Sequence, residues 1–157
     1  MDVINKVDGI AAITYRDATF FRGETAVPVI DIPFGVNPDE FNPAYEVKDN
    51  PTLYHIGSMN WMPNEEGIRW FLNNVWDKVA KRNPDLQLNL AGRNMPKWLL
   101  KLKKRNVNIV GEVPDAKEFV KNNDIAVVPL LSGSGIRIKI IESMAMVAIS
   151  PVTTRAC

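Results

Sequence analysis

The stretch Leu131 to Met146, LSGSGIRIKIIESMAM, holds the residues whose types and spacing best suit chemistry. Ser132, Gly133, Ser134 and Gly135 form a small, bare turn between an apolar strand and a helix, where backbone N–H groups and the helix dipole can hold an anion. Arg137 and Lys139 follow in or near the first helical turn, where the macrodipole disfavours each cation by roughly a few tenths of a kcal/mol. That placement makes sense if both face a bound anion. Lys139 and Glu142 also share one helix face, so the same residues suit an exposed ion pair with Arg137 merely solvated.

Other candidates read more plainly. His55, the sole histidine, sits inside an apolar strand run and is expected as a packed structural residue. Trp61, Trp70, Trp76 and Trp98 read as core or rim residues rather than stacking platforms for a ligand, and Lys101, Lys103, Lys104 and Arg105 read as a solvated helix face. The only cysteine, Cys157, is the last residue, which leaves no disulfide framework within one chain, and no clustered Asp, His or Cys suggests a metal.

These residues need elements to position them. A chain of 157 residues has room for one ordinary domain and a fragment of a second. With 46% apolar residues, 24% charged, and 19 basic against 18 acidic side chains, it reads as globular and lacks the bulk field that would make nucleic acid the default partner. Its apolar runs fall well short of the roughly 18 residues a membrane span needs, and Asp2, Lys6 and Asp8 interrupt any signal-peptide core, so a cytoplasmic setting is expected.

Short apolar runs alternate with helical patterns throughout. Strands are expected at Gly9 to Ile13 and Val27 to Ile32, with a helix at Tyr15 to Phe21 between them, followed by a Pro-rich boundary from Pro33 to Pro51. Beyond it come strands at Thr52 to Ile56, Leu86 to Ala91, Val107 to Val110 and Asp124 to Val128. Helices are expected at Asn64 to Arg82 with Asn64 as N-cap, near Pro96 to Lys104, at Asp115 to Lys121 and at Ser134 to Met146. The alternation predicts an α/β, doubly wound parallel sheet of Rossmann-like type, with its ligand crevice at the strand C-terminal ends.

The ordered segments GSMNWMPNEEGIRWF, AGRN, GEVPDA and DIAVVPLLSGSGIRIKIIESMA resemble the nucleotide-sugar-binding domain of the glycosyltransferase group 1 family, retaining enzymes of the GT-B fold. The resemblance covers about Asp8 to Met146. It implies a fragment: residues 1–43 as the end of the acceptor-side domain with its linker, and residues 44–157 as a C-terminally truncated nucleotide-sugar-binding domain. From Val147 to Cys157 the sequence departs from the family pattern of a following strand and helices.

By resemblance, Glu142 matches the second glutamate of the Glu-x7-Glu signature, which accepts hydrogen bonds from ribose hydroxyls; Ser134 stands where the first would be. Gly57 and Ser58 would let donor phosphates approach backbone, although a glycine ending a strand also suits a plain turn. Glu112 and Val113 match the segment whose backbone reads the base. The arginine and lysine that many members carry after the first strand are replaced here by Gly57 to Trp61, so Arg137 and Lys139 are expected to neutralise the diphosphate, as the catalytic pair.

The resemblance thus implies transfer of a sugar from a nucleoside diphosphate sugar, without a metal, to an unknown sugar, lipid or protein acceptor in cell-surface polysaccharide biosynthesis, with peripheral membrane contact in the full-length protein. Two other classes fit the same pattern: a non-enzymatic doubly wound module binding a phosphate ligand or a protein, and a nucleotide-sugar epimerase on the same scaffold.

Overall fold

A computed structural model describes residues 3–37, 50–132, 136, 138–146 and 149–152. The chain divides into two compact units, Met1–Asn37 with Ser134–Ile138, and Pro38–Gly133 with Lys139–Cys157. In the first, strand β1 (Ile10–Ala12), helix α1 (Tyr15–Glu24) and strand β2 (Val29–Asp31) follow one another, and the two strands pair in parallel with Ile10 opposite Val29. Thr14 starts α1 by accepting the Asp17 N–H at 3.0 Å, which satisfies one of the helix's orphan donors. The helix runs on to Glu24, past the expected end at Phe21.

The second unit carries a five-stranded sheet in the order β5-β4-β3-β6-β7, all neighbours parallel. Its strands are β3 (Thr52–Ile56), β4 (Gln87–Ala91), β5 (Val107–Gly111), β6 (Ile125–Val127) and β7 (Ile149–Val152). The chain winds outward from β3 to β5 and then returns to β6 on the other side. The switch point therefore lies between β3 and β6, the place where an open sheet of this type holds its ligand outside the strand C-termini. Strand β7 corrects one expectation: the α/β pattern continues past Met146 rather than breaking off.

Helix α2 (Met62–Phe71) passes through a single π turn, Leu72–Trp76, into α3 (Asp77–Arg82). The expected N-cap at Asn64 is corrected. Pro63 lacks an N–H and has a φ already suited to a first turn, so the helix begins before it, with Trp61 at the cap position and Asn64 inside. The π turn keeps both Leu72 and Trp76 facing inward, and the buried Trp76 indole donates to the Arg105 carbonyl at 2.9 Å.

The expected helix from Pro96 to Lys104 is also shorter, α4 covering only Lys97–Leu100. The Leu102 N–H turns back to the Leu99 carbonyl at 3.0 Å, and Lys104 reaches Asp77 at 2.8 Å. Lys101, Lys103, Lys104 and Arg105 thus lie on a loop that leads into β5, not on a helix face. Helix α5 (Ala116–Lys121) is capped by Asp115 as its sequence position predicts, and α6 spans Ile138–Met146.

Alternation along the strands sends side chains to both faces of the sheet, each covered by helices. Leu53, Leu88, Leu90 and Val127 pack with Ile68, Phe71, Leu72, Trp76, Ala80 and Leu99 on one face. On the other, Tyr54 and Ala126 meet Val120 and Met146.

Candidate functional site

The rim above the strand C-termini is stitched by backbone. Past the ends of the ladders, the Gly57 N–H donates to the Ala91 carbonyl at 3.1 Å, Met59 N–H to Arg93 at 2.9 Å, and Gly92 N–H to Gly111 at 2.7 Å. The three exit loops therefore hold fixed positions relative to one another. Gly92, at φ +140°, lies so close to the Gly57 backbone that a Cβ there would collide with it. Likewise a Cβ on Gly67 would strike the Pro129 carbonyl, so the first turns of α2 press directly against the chain leaving β6.

Three polar side chains converge over Gly57. A Cβ on that glycine would meet Lys139 Nζ, Asn64 Nδ2 at 2.9 Å and His55 Nε2 at 3.3 Å. Lys139 arrives from the first turn of α6, Asn64 from the first turn of α2, and His55 from within β3. Lys139 Nζ donates to Asn64 Oδ1 at 3.0 Å, and Asn64 Nδ2 donates in turn to the Ser58 carbonyl at 2.8 Å. One buried amide thus links the ammonium to the loop after β3.

His55 is 2% exposed, packed inside as expected. Its Nδ1 lies 2.8 Å from the Val127 carbonyl, which can only accept, so Nδ1 carries the proton and Nε2 presents a lone pair. That lone pair is buried without a hydrogen-bond partner among the described residues. Burial, the nearby Lys139 charge and, in opposition, the Val127 hydrogen bond bring the imidazole to about 4, so it is neutral at ordinary pH.

Lys139 is largely withdrawn from water. Burial lowers its pKa from 10.5 to about 8 against the opposing pull of Glu142. The exposed Lys139–Glu142 ion pair that the spacing allowed is not formed: the ammonium hydrogen-bonds the Asn64 amide instead, and Glu142 acts on it at longer range. Among the described residues no carboxylate lies within ion-pair distance of Lys139, because α6 points Nζ toward the switch point and away from its own face.

Gly57, Ser58, Lys139 and Glu142 are therefore in one neighbourhood. Ser132 stands at the edge of α2, its hydroxyl donating to Glu66 at 3.2 Å. Glu112, beyond β5, pairs with Arg93 at 3.2 Å on the exposed surface, with Val113 next to it. Gly133, Ser134, Gly135 and Arg137 lie outside the described residues. The residues that sequence reasoning missed are Asn64, in the first turn of α2, and Glu66, just past it; the bare Gly57 ahead of that helix was the available hint that something polar comes close. Among the described residues no three His, Cys, Asp or Glu side chains converge, and no helix is long and apolar enough to cross a membrane.

Comparison with known proteins bears on the family and the fold. The chain is 30% identical over 105 residues to an uncharacterized 44.6 kDa protein in the cps region of Klebsiella pneumoniae, a match covering 60% of this chain and 27% of that protein. Its fold is similar to that of TarM, with a TM-score of 0.70 at 16% identity over 92% of this chain and 30% of TarM. A similar likeness, TM-score 0.67 at 19% identity over 89% of this chain and 28% of the other, joins it to a Staphylococcus aureus TarM mutant in complex with fondaparinux, α-GlcNAc-glycerol and UDP. Trehalose-6-phosphate synthase, studied for glycosyl transfer with retention, gives 0.63 at 10% identity over 88% of this chain and 43% of that one. The chain thus spans about a third or less of the length of most of these proteins. The model of the family Glycosyl transferases group 1 matches residues 50–156, which carries the family pattern through the tail that the sequence reading set apart, and the chain belongs to that glycosyltransferase family.

Proposed function

We propose that this chain holds the donor site of a retaining glycosyltransferase, which moves a sugar from a nucleoside diphosphate sugar to an acceptor. The observation that carries this reading is the Lys139 ammonium, held at the switch point of the sheet by an amide and facing the side-chain-free Gly57. A cation in that position, drawn out of water and without a carboxylate beside it among the described residues, attracts an anion far more strongly than a solvated lysine. Donor phosphates can approach the Gly57–Ser58 backbone there. As the bond to the sugar breaks, negative charge builds on the departing diphosphate, and a fixed ammonium stabilises it without reorganising.

Glu142 lies one turn along α6 from Lys139 and is only partly buried, which suits an acceptor for the two ribose hydroxyls. Arg137, with the amides of Ser132 to Gly135, adds to the anion site in this reading. Residues 44–157 form the nucleotide-sugar-binding domain and residues 1–43 belong to the acceptor side. The Klebsiella relative's place in a cps region supports a cell-surface polysaccharide precursor as acceptor. UDP in the TarM complex and the retaining course studied for trehalose-6-phosphate synthase support a nucleoside diphosphate donor and retention.

The test is a thermal-shift series with UDP, GDP, ADP and the matching monophosphates, repeated on Lys139→Ala and Glu142→Ala. A ligand at 100 times its Kd stabilises by about 2.7 kcal/mol, which for a domain of this size raises Tm by about 5 to 10 °C. A shift selective for one diphosphate and weakened in both variants supports the reading. A shift unchanged in both overturns it.

A further inference from the structure

We propose that Asn64 and His55 are positioning residues for the Lys139 ammonium over Gly57, Asn64 by taking one of its N–H donors and His55 by turning an unpaired, buried lone pair toward the same space. This rests on the reading of Lys139 as the group that faces an anionic ligand.

The geometry is specific. An ammonium has three donors and no acceptor, so its aim is set by whatever accepts from it. Asn64 Oδ1 takes the first at 3.0 Å. The amide cannot swing away, because its other end is tied to the Ser58 carbonyl at 2.8 Å and the residue is 4% exposed. Flipping the amide would set its NH2 against the ammonium, so the orientation is determined as well as the position.

His55 offers a second acceptor, open and not yet engaged. Its Nδ1 proton is committed to Val127, and the Nε2 lone pair is left buried with no hydrogen-bond partner among the described residues, Lys139 included. A desolvated acceptor of this kind is costly unless a donor reaches it. Lys139 Nζ and His55 Nε2 both abut the point where a Gly57 Cβ would stand, so the ammonium and the open lone pair share one small space without a hydrogen bond between them. An imidazole that stays neutral suits the task, since a charged one would repel the ammonium. The other titratable groups around Nζ are Glu142, a turn along α6, and Tyr54, whose hydroxyl is occupied by Ser143 at 3.1 Å. Neither fixes the direction of the ammonium.

The arrangement also explains why the site sits on Gly57. Any side chain there would fill the space that the ammonium, the amide and the imidazole share.

The experiment follows the titration of Lys139 itself, by NMR of 13Cε-labelled lysine in the ligand-free full chain, with Lys139→Arg used to assign its resonance. Asn64→Leu removes the acceptor without adding charge, so the Lys139 midpoint should fall from about 8 by about half a unit or more. His55→Phe removes the second acceptor and should lower it by about half a unit or more. Melting temperatures report folding separately, since a purely structural role would shift Tm and leave the Lys139 midpoint in place. A midpoint unmoved in either folded variant overturns the role of that residue. UDP titrations of the same proteins separate this from the donor reading: shifted midpoints without UDP binding keep the cradle and sink the donor site, whereas UDP binding with unmoved midpoints does the reverse.

Discussion

If Lys139 meets the diphosphate as a charged group, nucleotide affinity must follow its protonation. Burial brings its folded, ligand-free midpoint from 10.5 to about 8, with Glu142 pulling weakly the other way. The ammonium is therefore present below about 8 and lost as pH rises through it. A nucleoside diphosphate, with a final phosphate pKa of about 6, is already fully ionised there, so the window belongs to the lysine. From about pH 7 to about pH 9 the charged fraction falls from roughly nine-tenths to one-tenth, and Kd for the nucleoside diphosphate should rise about tenfold. Calorimetry in two buffers of different ionisation enthalpy should also show uptake of about half a proton per ligand near pH 8. Lys139→Arg keeps its charge throughout and should bind with a flat profile. The fold provides a second check. A folded midpoint below the unfolded one means that the unfolded chain holds more protons between about 8 and 10.5, so stability rises with pH across that window relative to Lys139→Met, by up to about 3 kcal/mol. Wild-type affinity that is flat from pH 7 to pH 9 and parallel to Lys139→Arg would refute the reasoning.

Further expectations concern the glycines and a helix cap. Gly57→Ala pushes on the ends of Lys139, Asn64 and His55, of which only the lysine is loose enough to move aside; calorimetry should show about a tenfold loss of nucleotide affinity, with a loss of stability of about 1 to 3 kcal/mol. Gly67→Ala instead drives a Cβ into the Pro129 backbone, so denaturant melts should show a loss of about 1 to 3 kcal/mol or more. Asp115→Ala removes the acceptor for the Lys117 and Glu118 N–H groups, at 2.7 and 3.2 Å, and should lower stability by about 1 kcal/mol, or Tm by about 2 to 4 °C, without altering nucleotide binding.

The sheet was legible because its signals are local. Apolar runs closed by Gly57, Gly92 and Gly111, with Asp115 before a helical pattern, set strand and helix limits to within a residue or two. The failures were also local, where two signals compete. Asn64 is a good N-cap residue, but Pro63 immediately before it is a better first-turn residue, and the helix starts ahead of both. The basic run after Leu100 has a helix-compatible composition, yet Asn106 at φ +57° and the pull of Asp77 on Lys104 take it into a loop.

The site was legible only in part, for a different reason. Lys139 could be singled out because a cation in a first helical turn is locally unfavourable, a conflict visible without any fold. Nothing local marks its partners. Asn64 lies 75 residues away and His55 belongs to a strand whose apolar run makes a packed, inert side chain the natural expectation. That expectation describes one nitrogen of the ring and not the other. Packing and the Val127 carbonyl account for Nδ1, while Nε2 is left with a lone pair in a region that no apolar neighbour can satisfy. A sheet that crosses over between β3 and β6 brings such an atom to the same point as a lysine from the following helix. The crossover thus does more than mark the place for a ligand: it lets a residue from the first strand of the sheet face a charge supplied by the helix after the fourth.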